Sequence, residues 1–435
     1  MTAFKAPTRP ATARMTLAEI IDTLAGGQLG VRFTAYDGST AGPEDAPIGL
    51  HLTSPRGTTY LATAPTDPDL GMARAYVSGD LTLTGVHPGN PYDALVAISA
   101  GLRLHRPPPL ALAAIMRSLG WETLRPVPPP PQEHPPRWLR VANGLRHSKT
   151  RDAQAVSRHY DVSNAFYEHV LGDSMTYTCA YYDSPTMSLG SAQEAKYQLV
   201  FDKLGLQAGD RLLDVGCGWG GMVRFAARRG VHALGATLSA QQATWAQAAI
   251  ESEGLGALAR VRHCDYRDVT EAGFDAVSSI GLTEHIGIAQ YPAYFASLRQ
   301  RLRPGGRLLN HCITRPGNDP HEGVGSFIDR YVFPDGELIG SGTIIREIQD
   351  AGLEVRHSEN LREHYALTLR DWNANLVEHW DECVTEVGMG TAKLWGMYMA
   401  GSRHNFERNG VQLHQVLAVK PDITGDARVP LRQWW

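Results

Sequence analysis

The chain from about Ala195 onward predicts an α/β protein with a doubly wound sheet, parallel in its main part. Three observations predict it. Apolar strand-like runs alternate with helical runs, a glycine cluster directly follows the first of these strands, and a proline-rich stretch separates this region from the residues before it. Because such folds bind ligands at the carboxyl ends of their strands, the residues at those ends are candidates for a functional site.

The elements of this region follow one another in a regular order. Strand "RLLDVGC" precedes helix "GMVRFAARRG", and strand "VHALGATL" precedes helix "SAQQATWAQAAIESEG". Strands "RVRHCDY" and "FDAVSSIG" come next, followed by helix "YPAYFASLRQRLRP" and strand "GRLLNHCIT". Glu284 follows the run "FDAVSSIG" and lies four residues after Ile280. A carboxylate at the mouth of a sheet is costly to desolvate unless a partner or a reaction uses it.

The stretch "RPVPPPPQEHPP" (residues 125–136) predicts a stiff extended spacer, because proline disfavours both helix and sheet. We therefore expect a small α+β domain over residues 1–125, a linker over 126–136 and the larger domain over 137–435. In the small domain, residues 31–65 contain short β-type runs, and residues 91–106 and 110–125 resemble amphipathic helices. It carries no catalytic pattern, which favours a role in binding or packing.

Composition narrows the class of protein. The chain is 43% hydrophobic and 20% charged, and its formal net charge of -4 argues against a surface built for nucleic acid. It shows no signal-peptide pattern and no apolar run long enough to span a bilayer. Its five cysteines are scattered singly, which fits a reducing cytoplasm and argues against a structural metal site.

A basic segment follows the linker and contains one acid before Asp161. Its basic residues are Arg137, Arg140, Arg146, Lys149, Arg151 and Arg158. One interpretation is a solvated helical face. The other is a surface for anionic lipid headgroups, to which each basic residue contributes about 1 kcal/mol.

The glycine cluster "LLDVGCGWGG" indicates the cofactor. It fits the dinucleotide pattern G-x-G-x-x-G, but the next strand ends without the acid that would hold a nicotinamide cofactor's ribose. Asp214 with Gly216, Gly218 and Gly220 instead matches the (D/E)-x-G-x-G-x-G loop of class I S-adenosylmethionine methyltransferases. The alternative to a cofactor-binding loop is a glycine turn that serves only packing.

Further polar residues follow the next two strands. Thr237, Ser239 and Gln242 are candidates for hydrogen bonds to the ribose and adenosine, and Asp265 and Tyr266 for holding adenine.

The stretches "HYDVSNAFYEHVLGDSMTYTCAYY", "IGLTEHIG", "LLNHCIT", "EHYALTLRDWNANL" and "FERNGVQLHQV" resemble the cyclopropane-fatty-acyl-phospholipid synthases and the mycolic acid cyclopropane synthases. The resemblance extends from His159 to about Lys420. It implies a class I, Rossmann-like methyltransferase domain preceded by a smaller domain that binds lipid or a membrane, or dimerises. It also implies a cytoplasmic enzyme at the inner face of the membrane that acts on phospholipid acyl chains.

The chemistry that this resemblance implies would explain Glu284. The double bond of an acyl chain attacks the sulfonium methyl group, and a bound bicarbonate then removes a proton from the carbocation. Five positions match the family's bicarbonate holders: the backbone of Cys179, Glu284, His311, the backbone of Ile313, and Tyr365. Tyr160, Tyr177 and Thr178 match cofactor-contacting positions.

Each of these residues also has a structural interpretation. Glu284 would cap the helix expected near Ile288 or pair with a cation, and His311 would be a satisfied core histidine. Tyr365 and Cys179 would be ordinary packed residues.

The resemblance leaves the product open. Loss of the proton from the transferred methyl group closes a cyclopropane ring, whereas loss from the neighbouring chain carbon leaves a methylene branch, which a separate reductase would saturate. Likeness to enzymes linked to tuberculostearic-type lipids favours the branch. Ser402 and His414 replace a cysteine and a tryptophan that are frequent in the family. The alternatives are a non-catalytic lipid-binding protein and a methyltransferase acting on oxygen or nitrogen.

Overall fold

The computed structural model describes residues 14–64, 67–102, 104–135, 163–319, 325–334 and 336–435. The chain divides into two compact units, Met1–Gln132 and Glu133–Trp435. The division falls inside the proline-rich stretch, while the basic segment at residues 137–158 lies outside the described residues. No helix in the described ranges is long and apolar enough to cross a bilayer.

The first unit packs helices against a four-stranded sheet of order β2-β1-β3-β4, in which only the β1–β3 pair is parallel. Its strands are β1 (Arg32–Ala35), β2 (Thr40–Ala41), β3 (Gly49–Leu52) and β4 (Leu81–Thr84). Its helices are α1 (Leu17–Leu24), α2 (Pro55–Ala62), α3 (Pro68–Val77), α4 (Tyr92–Gly101) and α5 (Pro109–Thr123). The role predicted for this domain stays a prediction.

Helix α2 lies in the region that the sequence suggested to be β-type, and for residues 55–62 that expectation is wrong. Ser54 caps the helix by accepting a hydrogen bond from the backbone of Gly57, and Pro55 occupies the first turn, where its missing N–H costs nothing. These two start signals outweigh the strand preference of Thr58, Thr59 and Tyr60.

The second unit contains a seven-stranded sheet and ten α-helices in its described part. Its strands are β5 (Arg211–Val215), β6 (His232–Thr237), β7 (Ala259–His263), β8 (Phe274–Ile280), β9 (Leu302–Thr314), β10 (Glu354–Asn360) and β11 (Gln412–Val419). Its helices are α6 (Asn164–Leu171), α7 (Leu189–Leu204), α8 (Gly221–Ala227), α9 (Ala240–Ser252), α10 (Thr283–Ile286), α11 (Tyr291–Arg301), α12 (Ser341–Asp350), α13 (Arg362–Glu378), α14 (Trp380–Val387) and α15 (Met389–Glu407).

The order of this sheet, β10-β11-β9-β8-β5-β6-β7, confirms the predicted α/β doubly wound fold. Strands β5 to β9 are parallel to one another, whereas β11 runs antiparallel between β9 and β10. The order reverses at β5, from which the chain moves first toward β7 and then across to β8. Parallel strands that leave such a switch point form a crevice at their carboxyl ends.

Alternate residues of the strands supply the two apolar layers. Leu212 and Leu309 belong to the cluster that packs against α7, α8 and α9, and their neighbours Leu213 and Leu308 belong to the cluster against α11 and α12. Both faces of the sheet are therefore covered by helices, as a mainly parallel sheet requires.

Helices α13 and α15 close the carboxyl end of the sheet. The side-chain amide of Asn373 on α13 donates to the carbonyl of Gly396 on α15 at 3.2 Å. The hydroxyl of Thr368 on α13 accepts a hydrogen bond from the backbone N–H of Ala180 at 3.0 Å. These contacts hold the loop around Cys179 beneath the two helices.

A π-helix at Ile328–Val332 contacts two residues near the end of the proline-rich stretch. Arg330 forms an ion pair with Glu133, and its Nε donates to the carbonyl of His134 at 2.7 Å. The hydroxyl of Tyr331 donates to Glu133 at 3.0 Å. We call this set of contacts the Glu133 brace.

Candidate active site

Two pockets lie at the carboxyl ends of the parallel strands. The first, which we call the glycine-loop pocket, has a cavity volume of about 70 Å³ and is lined by the loop after β5. The second, which we call the apolar cavity, has a volume of about 140 Å³ and lies beside α10, α13 and α15. Tyr177, Thr178 and Gly281 line both, so the two pockets share one wall.

The glycine loop needs its glycines for conformation and for space. Gly216 and Gly218 have φ values of 72° and 54°, in the left-handed region that side chains rarely adopt. A Cβ at Gly221 would lie 1.9 Å from the hydroxyl of Tyr197, which itself contacts the hydroxyl of Thr176 at 2.7 Å. The backbone is therefore left bare toward the pocket, as close approach to a cofactor requires.

Two buried side chains of opposite charge line this pocket. Asp214 accepts a hydrogen bond from the Ser278 hydroxyl at 2.6 Å, and Lys196 donates to the Thr178 hydroxyl at 3.2 Å. Burial raises the pKa of Asp214 and lowers that of Lys196, and their mutual attraction opposes both shifts. The pocket thus offers an acceptor and a donor to a zwitterionic group.

Not all predicted cofactor residues reach the glycine-loop pocket. Those that line it are Tyr177, Thr178, Asp214, Gly216, Gly218 and Gln242. Gly220, Thr237, Ser239, Asp265 and Tyr266 are absent from the lining, and Tyr160 lies outside the described residues.

Thr237 and Ser239 both form hydrogen bonds with Gln242. The Thr237 hydroxyl donates to the Gln242 side chain at 2.9 Å, and the Ser239 hydroxyl accepts from the Gln242 backbone at 3.2 Å. Asp265 is engaged by Arg267, whose Nε and Nη2 donate to its two oxygens at 2.7 and 2.6 Å. The Thr237 hydroxyl therefore orients the Gln242 side chain, while Ser239 caps the N-terminus of helix α9.

The five residues predicted to hold an anion all line the apolar cavity. They are Cys179, Glu284, His311, Ile313 and Tyr365. They come from a loop, from α10, from two positions of β9 and from α13, so only the fold brings them together. The remaining wall is mostly aliphatic and aromatic, and its lining residues within the described chain include one carboxylate and no lysine or arginine.

Glu284 is buried on α10, directly after β8. One oxygen, Oε1, accepts a hydrogen bond from the backbone N–H of Ile313 at 2.7 Å. The other, Oε2, is buried and has no hydrogen-bond partner in the described part of the chain. Burial raises the pKa of Glu284 to about 7, against the lowering effect of the Ile313 N–H. The Ile313 backbone, predicted to hold the anion, therefore orients Glu284.

His311 is 1% exposed, and its two ring nitrogens have different surroundings. Nδ1 lies 3.2 Å from the side-chain nitrogen of Gln415. Nε2 is buried and has no hydrogen-bond partner among the described residues. Burial, followed by the positive charges of Lys196 and Lys203, lowers the pKa of His311 well below its usual value. The imidazole is therefore neutral at physiological pH.

The structural alternatives for Glu284 and His311 do not fit this geometry. The N–H of Ile288, which Glu284 was a candidate to cap, donates instead to Glu337 at 2.7 Å. Among the described ion pairs, none joins Glu284 to a cation. Only one ring nitrogen of His311, Nδ1, has a hydrogen-bond partner in the described part of the chain. A buried polar atom without a partner costs free energy unless a ligand completes it.

The two replaced family positions have different surroundings. Ser402 lines the apolar cavity, where its hydroxyl stands in place of a thiol. His414 is not among the lining residues, and its Nδ1 contacts the Thr314 hydroxyl at 2.7 Å.

Sequence reasoning did not find Lys196 or Gln415. Lys196 is 1% exposed on a helix whose polar residues otherwise suggest a solvated face, and Gln415 lies inside the stretch "FERNGVQLHQV", which carried the resemblance but assigned no role to this residue. The only sequence signal for Lys196 is that it occupies a position on the helix that faces the sheet.

The strand order, the bare glycine loop and the pair of adjoining pockets define a class I S-adenosylmethionine-dependent methyltransferase. The family model described as mycolic acid cyclopropane synthetase matches residues 147–416. The chain belongs to this family, which confirms the resemblance found in the sequence. It is therefore an enzyme of the methyltransferase class.

Relatives and a solved structure agree with this assignment. A probable fatty acid methyltransferase of Mycobacterium tuberculosis is 63% identical and covers 98% of this chain and 99% of the relative. A tuberculostearic acid methyltransferase of the same organism is 33% identical over 69% of this chain and 70% of its own length. A mycolic acid cyclopropane synthase complexed with SAH and CTAB superposes with a TM-score of 0.57 at 31% identity, covering 61% of this chain and 97% of that chain.

Proposed function

We propose that this enzyme transfers a methyl group from S-adenosylmethionine to the cis double bond of an unsaturated, oleoyl-type acyl chain in a membrane phospholipid. The product is a methylene-branched chain of the 10-methylene stearoyl type. The observation that supports this best is the apolar cavity, in which the partnerless oxygen of Glu284 and the partnerless nitrogen of His311 are surrounded by hydrocarbon. The aliphatic and aromatic side chains of the remaining wall suit an acyl chain.

The glycine-loop pocket fits the cofactor. Asp214 and Lys196 offer opposite charges to the amino and carboxylate groups of a methionine moiety, and the glycines let the backbone approach it. S-adenosylmethionine supplies a methyl group on a positively charged sulfur, which an isolated alkene can attack. Tyr177 and Thr178, in the shared wall, would line the path between sulfur and alkene.

The partnerless atoms of the apolar cavity fit a small oxyanion. Bicarbonate supplies a base that does not belong to the chain. Glu284, with a pKa of about 7, can share a proton with such an anion through Oε2, and the neutral His311 can add a hydrogen bond without adding charge. Tyr365 and the backbone of Cys179 complete the surroundings. Hydrogen bonds preorganised in this way typically lower a barrier by several kcal/mol.

The rest of the cavity protects a carbocation. Aromatic rings of Tyr177, Tyr365 and Tyr398 line it, and Tyr177 is stacked on Trp372 with ring centroids 5.3 Å apart. Such rings stabilise a neighbouring positive charge through their faces. The aliphatic and aromatic side chains of the wall limit water, which would otherwise quench the cation.

The position from which the proton leaves decides the product. The tuberculostearic acid methyltransferase among the relatives favours the branch, after which a separate reductase would give a methyl group. The alternative is a cyclopropane ring, which the family description and the name of the solved relative favour. A phospholipid substrate places the enzyme at the inner membrane surface, with the first domain binding lipid or joining two copies. The reductase, the membrane contact and the homodimer all belong to this proposal.

The test is to express the enzyme in a bacterial host rich in oleoyl phospholipid and to profile the fatty acids by mass spectrometry. We expect an oleoyl-derived chain heavier by one CH₂ group, and catalytic hydrogenation of the product distinguishes the methylene branch from the ring. The control is the same host expressing the Glu284→Gln variant, which should lack the new acyl chain. If a purified sample binds the cofactor while no acyl chain gains mass, the proposed function is wrong and a non-catalytic lipid-binding protein gains support.

A further inference from the structure

The polar contacts of His311 continue beyond the cavity. Glu359 on β10, Gln415 on β11 and His311 on β9 are direct cross-strand partners, so their side chains follow one another across three neighbouring strands. Lys203 of α7 covers this row. It forms an ion pair with Glu359 and donates to the Oε1 atom of Gln415 at 2.7 Å.

The chemistry of these groups fixes the orientation of the Gln415 amide. A lysine ammonium can only donate hydrogen bonds. Burial lowers the pKa of Lys203, and its ion pair with Glu359 opposes that shift and favours the charged form. The amide oxygen must therefore face Lys203, which turns the NH₂ group toward His311, 3.2 Å from Nδ1. An NH₂ group can only donate, so Nδ1 is the acceptor and carries no proton.

We infer that Gln415, held by Lys203 and Glu359, is a positioning residue that fixes His311 as the tautomer with its proton on Nε2. Nε2 is the nitrogen without a partner among the described residues, and His311 lines the apolar cavity. His311 thus presents a donor to the cavity and has no basic lone pair there. It cannot take up the proton that the reaction releases, and its role is to hold an anion that can.

Burial supports this arrangement. Lys203, Gln415 and His311 are each 1% exposed, so water does not compete for these hydrogen bonds. The nearby charges of Lys203 and Lys196 also disfavour a second proton on the ring, because both lower the pKa of His311 after burial has done so. A donor that stays neutral adds no positive charge beside a carbocation.

The structural part of the inference is tested without any assay of turnover. Protein labelled with ¹⁵N in its histidines gives long-range ¹H–¹⁵N correlations that identify the protonated ring nitrogen, and the His311 signals are those that His311→Gln removes. We expect a protonated Nε2 and a bare Nδ1 in the unaltered chain. The opposite tautomer, or a doubly protonated ring at pH 7.5, would overturn the inference.

Gln415→Glu reverses the chemistry at nearly the same volume. One carboxylate oxygen would still face Lys203, while the other would accept a proton from Nδ1, so we expect the tautomer to change to Nδ1–H. Gln412→Glu makes the same change on the same strand at a side chain that bonds Asn409 instead, and it should leave the His311 spectrum unaltered. A Gln415→Glu protein that keeps the Nε2 proton contradicts the inference.

The functional part rests on the proposed function. Loss of one hydrogen bond to a charged group should raise the bicarbonate concentration for half-maximal turnover about tenfold or more in Gln415→Glu, with the KM for S-adenosylmethionine within about twofold. A KM for the cofactor that rises equally would indicate general damage and count against positioning. Since the tautomer is measured in the resting protein, it can hold even if no lipid is methylated, and the two failures are distinguishable.

Discussion

Replacement of Glu284 by glutamine should make the protein more stable at neutral pH while it abolishes turnover. Glutamine keeps the shape of the side chain and the bond from the Ile313 N–H, but it cannot ionise. In the native protein, burial raises the pKa of Glu284 from 4.5 to about 7. At 1.36 kcal/mol per pKa unit, the carboxylate then costs about 3 kcal/mol above pH 7.

The sign of the pH dependence follows from proton uptake. Below pH 4.5 the folded and unfolded chains both carry the proton, and the two proteins should be about equally stable. As the pH rises to about 7, the unfolded chain releases the proton while the folded chain retains it, so the wild type loses stability that the variant keeps. The variant should therefore gain up to about 3 kcal/mol between pH 5 and pH 8.

Urea unfolding in bicarbonate-free buffer at pH 5 and pH 8 measures this difference. Tryptophan emission is a suitable probe, because seven of the nine tryptophans follow Ser163. Glu337→Gln is the matched control, since Glu337 also accepts a backbone N–H, at 2.7 Å, but is less buried. A stability difference for Glu284→Gln that is equal at both pH values, or a wild type that is the more stable at pH 8, would refute the reasoning.

Three further predictions concern the two pockets. Gly221→Ala should weaken cofactor binding in calorimetry and lower the free energy of unfolding by about 1–3 kcal/mol, because its Cβ would meet the Tyr197 hydroxyl at 1.9 Å. The control is Gly190→Ala, which has open space around it and should leave the free energy of unfolding unchanged or raise it by up to about 1 kcal/mol. Lys196→Met should weaken cofactor binding about tenfold or more, as loss of a charged hydrogen bond does, whereas Lys393→Met, outside the glycine-loop pocket, should not change it. Val411→Trp should fill part of the apolar cavity and lower acyl-chain turnover while the cofactor dissociation constant stays within about twofold; equal losses of both would contradict the division of the site into two pockets.

Much of the larger domain could be predicted from the sequence, because its strands and helices alternate with clear glycine and proline boundaries. The positions of Glu284 after β8 and of the glycine loop after β5 followed from the rule that parallel strands open at their carboxyl ends. The convergence of Cys179 and Tyr365 on the same cavity came only from the family resemblance, since 186 positions separate the two residues in the numbering of the chain.

The rest depends on tertiary contacts that leave no local pattern. Lys203 contacts Gln415 across 212 positions in the chain, and no local pattern indicates that these two residues meet. Asp265 matched a position for adenine, and its carboxylate also accepts hydrogen bonds from Arg267 two residues away, a contact that sequence spacing does not reveal. In the first unit, the Ser54 cap and Pro55 in the first turn place residues of β-type preference in helix α2.

The Glu133 brace has a consequence for how the two parts of this protein can be separated. Ile328, on the π-helix that the brace holds, is also one of the residues that line the apolar cavity. A shortened protein that starts after His134 would lose the Arg330 and Tyr331 anchors and release that segment of the cavity wall, whereas one that starts before Glu133 would keep them. A shortened protein that keeps the Glu133 brace therefore has to begin inside the proline-rich stretch, at or before Glu133.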